Sequence, residues 1–278
     1  GNTPLVGNEL FKELGFKIVV LFILYLLFQI MEELKNTFLK CLIYFSPQRI
    51  IKDKDLIKSL LKNGFYYYPN YFSDSEIELL ENQLEKVRII QDKNYKESKN
   101  EGFTKSKNFT KYRDNEILNV DFLRHLCSVN KFMIINFLVT MRIRLNSFPR
   151  LTITRNHGEK KIDEQEIPAS HVHFDSWRHE VKILIPLTDI NEENGPTMFL
   201  PQTGSFHFKY LKQYFVSWLQ TRGFITNKTD MIKLVDFEQK KPVKFTAKKR
   251  DIIIFDSRFL HCATNIVAGQ RKALWLYF

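Results

Sequence analysis

Glycine and proline are scarce, 10 and 9 of 278 residues, which excludes a collagen-like or linker-dominated chain. Cysteine is scarcer still. Cys41, Cys127 and Cys262 are odd in number and far apart, so they form neither a disulfide framework nor a CxxC metal site, and a reducing compartment follows as the simpler setting. Acidic residues are outnumbered, 31 against 42 Lys and Arg, for a formal charge of +11. That charge is spread along the chain, with local excess only at 93–113 and 240–250. It reads as a solvated basic surface, and nucleic-acid binding is not expected. Two sequons, at Asn108 and Asn227, would matter only in a luminal or secreted protein. What is abundant is apolar: 44% hydrophobic and 14% aromatic, with 25 Phe, enough for one large core in a single catalytic domain with an N-terminal appendage.

No apolar run reaches the roughly 20 residues that a spanning helix needs. Ile18 to Phe28 is apolar throughout and extends to Met31 if Gln29 is tolerated. A helix apolar all round has to be buried somewhere. Two readings follow: a membrane tether through residues 16–31 on a cytoplasmic protein, or burial against the domain or a partner chain. Glu32-Glu33-Leu34-Lys35 follows the run in place of a small-residue cleavage pattern, which disfavours a signal peptide.

Residues 1–50 are therefore expected to be a hydrophobic helical segment and 51–278 the catalytic domain. Within the latter, Asp53 to Leu61 reads as a short amphipathic helix, and Phe65 to Pro69, after Asn63-Gly64, as a strand closed by a turn. Ser73-Asp74-Ser75-Glu76 offers a helix N-cap with its capping carboxylate, ahead of Ile77, Leu80, Leu84 and Val87 on one face. Residues 91–116 show no sustained period and are expected to form a long loop. Phe122 to Phe148 reads as a helix. Beyond Pro149 eight segments have strand character: 151–155, 169–175, 181–187, 196–201, 231–236, 243–246, 251–256 and 272–278. A barrel or sandwich is expected. Tyr210, Leu211, Tyr214, Phe215, Trp218 and Leu219 interrupt it at helical spacing, as a helix packed on the sheet or as a lid whose aromatics touch substrate.

His173-Phe174-Asp175 sets two metal-ligand types at i and i+2, which on a strand point to one face. A lone HxD is weak evidence, because most such histidines are structural. His261 follows the very apolar strand 251–256 and is positioned as a third ligand. Two histidines and a carboxylate form a facial triad with open positions, suited to non-haem iron(II) that must bind both an oxo-acid and dioxygen. Ten positions on, Arg271 opens the last strand, where its planar fork could grip a distal carboxylate. Alone it would read as a surface ion-pair residue. The order HxD, His, Arg fits 2-oxoglutarate.

With these residues the chain resembles the phytanoyl-CoA dioxygenase family from about Asp55 to Phe278. The resemblance also rests on Asn63-Gly64-Phe65 to Pro69, on Ile185-Pro186-Leu187-Thr188-Asp189, and on Asn194-Gly195-Pro196-Thr197-Met198-Phe199-Leu200-Pro201. It implies a mainly β fold with flanking helices around a double-stranded β-helix (jelly-roll, cupin-like) core. It implies that His173, Asp175 and His261 bind Fe(II), that Arg271 holds the C5 carboxylate of 2-oxoglutarate with Thr264 assisting, and that O2 completes the reaction. The implied reaction hydroxylates a small-molecule substrate and releases succinate and CO2. Aromatic richness in 91–116 and 206–230 favours an apolar or lipid-like substrate. Asp175 stands where halogenating relatives carry a small residue, which favours hydroxylation. The chain departs from the family at Pro201-Gln202-Thr203-Gly204-Ser205-Phe206-His207, where relatives commonly read Pro-Gly-Ser-His.

Competing readings are a zinc hydrolase using His171, His173 and Asp175, weakened by Ser176 where such enzymes need histidine, and a catalytically silent β-barrel binding module. His171, Trp177, His179 and Cys262 are expected at or near the pocket, each with a plain packing role as its alternative.

Overall fold

A computed structural model describes residues 6–46, 53–97, 104–105, 109–112, 130–142, 148–155, 172–204, 211–221, 242–264 and 266–278. The helices are α1 (Val6–Phe45), α2 (Lys54–Asn63), α3 (Asp74–Glu97), α4 (Asn130–Thr140) and α5 (Leu211–Thr221). The strands are β1 (Phe65–Tyr68), β2 (Thr104–Lys105), β3 (Phe109–Tyr112), β4 (Phe148–Arg155), β5 (Val181–Pro186), β6 (Thr197–Phe199), β7 (Val243–Phe245), β8 (Ile252–Asp256), β9 (His261–Ala263) and β10 (Gln270–Tyr277).

Among these strands two antiparallel sheets form: a seven-stranded one in the order β1-β8-β5-β10-β4-β3-β2, and a three-stranded one in the order β7-β6-β9. The expected β fold with flanking helices is present. The large sheet is apolar on both faces, and period-two alternation divides its side chains. Ile183, Ile185, Ile252, Ile254, Leu274 and Leu276 pack with α2, α3 and α4. Leu184, Ile253, Phe255 and Ala273 turn the other way, against Phe199 and Phe245 of the small sheet. The candidate site lies on this inner side.

Local chemistry explains the element ends. In α2, Leu56, Ile57, Leu60 and Leu61 are buried, the spacing of a helix laid on a core. Gly64 then stops it at φ 88°, donating its amide to Leu60 O (3.0 Å) and Ser59 O (3.2 Å), a left-handed cap that favours glycine. A Cβ there would also lie 2.2 Å from the Phe259 ring. The capping box at α3 forms as expected: the Glu76 amide donates to Ser73 Oγ (3.3 Å) and the Ser73 amide to Glu76 Oε2 (2.8 Å).

Three expectations need correction. The segment 91–116 is not wholly loop, because α3 continues to Glu97 and β2 and β3 extend the large sheet beyond β4. The helix expected to reach Phe148 ends at Thr140; Met141 has φ 53°, and β4 already begins at Phe148. The segment 169–175 is not a regular strand where described: His173 alone forms a bridge, to His261. The strand expected at 231–236, Val87's side chain, and residues 122–129 lie outside the described side chains and residues.

The N-terminal apolar run is one stretch of the 40-residue α1. Ile18, Tyr25, Leu39 and Ile43 are buried along one stripe together with the polar Gln29 and Asn36. Two ion pairs tie this helix to the domain, Glu32 with Arg142 at 2.8 Å and Glu33 with the fully buried Arg258. Of the two readings offered, packing against the domain is observed for this stripe. No helix among the described residues is long and apolar enough to cross a membrane.

Candidate active site

Backbone hydrogen bonds build the site before any side chain takes part. The His173 amide donates to the His261 carbonyl (3.0 Å) and the His261 amide to the His173 carbonyl (2.9 Å). Two residues 88 positions apart thus become direct cross-strand partners, with ring centroids 4.6 Å apart. The Asp175 amide donates to Ser257 O (2.9 Å), which fastens the other end of the HxD turn to the loop following β8. Ligand atoms of His173, Asp175 and His261 all lie within 4.8 Å of one another. Asp175 Oδ1 is 3.5 Å from His173 Nε2, and Oδ2 is 3.1 Å from His261 Nε2.

The ring of His261 is oriented from behind. Its Nδ1 lies 2.8 Å from the Phe259 carbonyl, an acceptor only, so Nδ1 carries the proton and Nε2 presents its lone pair toward Asp175. Phe199 stacks on the ring (5.7 Å, 22°) and Phe255 meets it edge-on (5.4 Å, 63°). Burial, working against the attraction of Asp175, holds the imidazole pKa below its ordinary value. A neutral imidazole is the form that ligates a metal.

Asp175 is affected in the opposite sense. Burial alone would raise its pKa, but the Lys182 ammonium and the bond from His173 outweigh it and hold the carboxyl well below the usual carboxylate range. It is ionised at neutral pH. Its side chain is 21% exposed, whereas those of His173 and His261 are 3% and 8% exposed, so the carboxylate sits at the accessible edge of the cluster.

Lys182 is the residue that reading the sequence missed. It is the second residue of β5, an otherwise apolar and fully buried strand, and its ammonium hydrogen-bonds Asp175 Oδ2. It also lies 4.6 Å over the Tyr277 ring. Burial acts to lower its pKa, but the charge of Asp175 prevails and holds it above the ordinary value. The available signal was a lone lysine interrupting Val181 to Leu187, seven residues after the HxD carboxylate.

Arg271, on β10, is buried, with 6% of its surface exposed. Its Nη1 donates to Gly195 O, while Nε has no partner among the described residues. Desolvation pushes its pKa down to about 10, the mark of a buried cation without a counter-charge. Thr264 belongs to the same corner: its hydroxyl donates to Pro196 O (2.6 Å) and its amide to the same oxygen (3.2 Å). The single hydroxyl proton is therefore engaged, and Thr264 braces the Gly195-Pro196 turn on which Arg271 is anchored.

A separate aromatic cluster packs behind the ligand-bearing segments, from residues that alternate with the ligands along the chain. Val172, Phe174 and Trp177 pack with Tyr214, Phe215 and Trp218 of α5 and with Ile18 and Tyr25 of α1. Phe174 and Tyr214 have ring centroids 4.6 Å apart, and Tyr25 meets Trp177 at 6.3 Å. The α5 helix is thus apposed to the HxD turn itself. His179 is buried and bonded through Nδ1 to Asp256, so it is a held structural histidine whose partner the sequence did not reveal. Cys262 is buried and its thiol is pushed up to about 11 by desolvation. His171 and His207 lie outside the described residues.

A His/Asp/His cluster with both histidines buried, on an antiparallel β scaffold, defines a non-haem metal enzyme of the oxygenase class. The chain belongs to the phytanoyl-CoA dioxygenase family, whose family model matches residues 60–273, and is an iron(II)- and 2-oxoglutarate-dependent oxygenase. Solved structures similar in fold include the carbocyclase SnoK from nogalamycin biosynthesis, described as non-haem and α-ketoglutarate dependent (TM-score 0.54, 12% identity, 81% of this chain and 82% of that one). The epimerase SnoN in complex with Fe3+, α-ketoglutarate and nogalamycin RO is similar at TM-score 0.53, 12% identity and the same coverages, 81% and 82%. HygX from Streptomyces hygroscopicus, with nickel and 2-oxoglutarate bound, is similar at TM-score 0.51, 14% identity, 80% of this chain and 85% of that one. Comparison with curated proteins finds no match.

Proposed function

We propose that this chain hydroxylates an apolar small molecule, with His173, Asp175 and His261 holding iron(II) and Arg271 holding the distal carboxylate of 2-oxoglutarate. The observation that carries the reading is the pairing of a nitrogen, oxygen, nitrogen cluster within 4.8 Å with a buried arginine whose Nε lacks a partner among the described residues. That donor set suits iron(II), and a guanidinium left without a counter-charge suits a buried carboxylate. The two packed antiparallel sheets are read as the double-stranded β-helix core of a catalytic domain spanning 51–278, with 1–50 as the appended segment.

Iron and 2-oxoglutarate, when bound, supply oxidative decarboxylation to succinate and CO2 and, with O2, the oxidant that hydroxylates the substrate. The protein's part is binding, orientation and exclusion of water. The Phe259 carbonyl keeps the proton of His261 on Nδ1 and so leaves Nε2 as a ligand. Lys182 engages Asp175 Oδ2, which leaves Oδ1 as the ligand oxygen and disfavours chelation through both. The Gly195 carbonyl aims the Arg271 fork. Phe199 and Phe255 pack on the His261 ring and keep water from that side of the reacting centre, and the aromatic richness of 91–116 and 206–230 supports an apolar or lipid-like substrate.

The test is a substrate screen under O2 with the iron-loaded enzyme, following succinate and the mass of the product. Stimulation by apolar compounds, with one oxygen atom from 18O2 in the product, is the expected result. Stimulation only by small polar amino-acid-like compounds contradicts the substrate class, and a product two hydrogens lighter contradicts hydroxylation.

A further inference from the structure

The outward side of α1 is as apolar as its inward side. Leu27, Met31, Leu34 and Phe38 are 54%, 63%, 65% and 59% exposed. At about 100° per residue they fall opposite the buried stripe of Ile18, Tyr25, Gln29 and Asn36. Val19, Val20, Ile23, Leu24 and Ile30 widen the exposed face to about half the helix circumference, over about 30 Å at 1.5 Å per residue. The charged residues of this stretch turn to the domain: Glu32 pairs with Arg142 and Lys35, and Glu33 with Arg258. Usual amphipathicity is inverted, with charges inside and hydrocarbon outside. An exposed apolar patch this large marks an interaction or membrane surface.

Its breadth and rim identify the occupant. A second copy joined through a coiled coil would need a narrow seam, about two positions in seven, flanked by charges that set register. Here the flanking positions carry Ile23 and Ile30, and Lys35, the charge beside the row, is engaged by Glu32. A cation occurs at its N-terminal end instead, the exposed Lys17. At the C-terminal end Tyr44 and Phe45 are 69% and 79% exposed. Lys58 Nζ lies 5.7 Å over the Tyr44 ring, and Lys54 donates to Tyr44 O at 3.2 Å. Aromatic rings ringed by lysines at the border of an apolar face are the composition of a membrane interface, and the overall +11 complements acidic headgroups.

We propose that α1 lies in the plane of an anionic lipid bilayer, its outward face set into the acyl boundary and Lys17, Lys54 and Lys58 on the headgroups. The helix does not cross the bilayer; it lies between the lipid and the aromatic cluster that its inner face helps to build.

The test is co-sedimentation of the full chain with phosphatidylcholine vesicles and with vesicles containing about 30% phosphatidylserine, alongside light scattering of the chain in solution. The wild type is expected to pellet with the anionic vesicles, and a Leu27→Glu/Leu34→Glu variant to bind them at least about tenfold more weakly with unchanged circular dichroism and unchanged oligomeric state. Lys17→Glu/Lys58→Glu, which leaves the apolar face intact, is expected to lose the preference for anionic over neutral vesicles. Failure of the wild type to pellet with anionic vesicles overturns the proposal. So does a wild-type dimer that the double glutamate variant converts to monomer without any vesicle binding, which would make the face an interface between copies. Neither readout depends on turnover, so the oxygenase reading stands or falls separately.

Discussion

His173 and His261 exchange both backbone hydrogen bonds, at 3.0 and 2.9 Å, so the main chain and not the imidazoles sets their separation. Removing either ring therefore deletes a ligand without dissolving the bridge. His173→Ala and His261→Ala are expected to unfold cooperatively without metal, with a loss of about 1–3 kcal/mol from the emptied ring volume. Addition of Fe(II) under anaerobic conditions should raise the melting temperature of the wild type and leave both variants unmoved. Thermal melts with and without metal check this, and an undiminished metal shift in either variant would remove that histidine from the ligand set.

Arg271 is a buried cation whose counter-charge is expected to arrive with the cosubstrate. Saturation with 2-oxoglutarate at about 100 times its Kd should stabilise the metal-loaded wild type by about 2.7 kcal/mol. Arg271→Met removes a desolvated charge and fills much of the same space. Its ligand-free form should then be no less stable than the wild type, while the 2-oxoglutarate shift disappears. Calorimetry on the two proteins separates these terms, and a retained shift in the methionine variant would assign the carboxylate to another residue.

Lys182 neutralises Asp175 in the absence of metal. In Lys182→Met the carboxylate loses its ammonium partner while staying 21% exposed, so solvent screens part of the cost and the loss is about 1–3 kcal/mol. A divalent ion then replaces the missing positive charge. The metal-induced rise in melting temperature should be larger in the variant than in the wild type. A smaller rise would show that Lys182 helps the metal bind.

Gly64 combines φ 88° with a Cβ position 2.2 Å from the Phe259 ring. Phe259 supplies the carbonyl that orients His261, so this contact reaches the site through one residue. Gly64→Ala is expected to cost about 2–4 kcal/mol, from backbone strain and displacement of the ring together. Urea unfolding measures it, and a change below about 0.5 kcal/mol would mean that the loop relaxes freely.

Much of the candidate site was legible because ligand chemistry constrains residue type and order. His173, Asp175, His261 and Arg271 stand out for that reason, and the structure brings the first three together. Thr264 was expected to assist a carboxylate; its hydroxyl is committed to Pro196 O. Lys182 and Asp256 were not legible, because their significance arises only when β5 pairs with β8 and brings side chains from distant segments to one face. Pattern also failed where a helix is apolar on both sides. The run 18–31 could not say which stripe meets the domain, because the inward stripe is selected by Gln29, Asn36 and the Glu33 to Arg258 pair and not by hydrophobicity. β9 escaped notice because three residues after a turn carry too little period, and β2 and β3 because β3 pairs with β4, far along the chain, and β2 joins the sheet only through β3.

The proposed role of His173, Asp175 and His261 is to hold iron for 2-oxoglutarate turnover. The most direct measurement is succinate formation from 2-oxoglutarate by protein purified without oxygen and reconstituted with iron(II), compared with His173→Ala, Asp175→Ala and His261→Ala. Iron-dependent succinate formation in the wild type, falling by at least about 100-fold in each variant, is the predicted result. Succinate formation that is independent of iron, or equal in wild type and variants, would contradict the account.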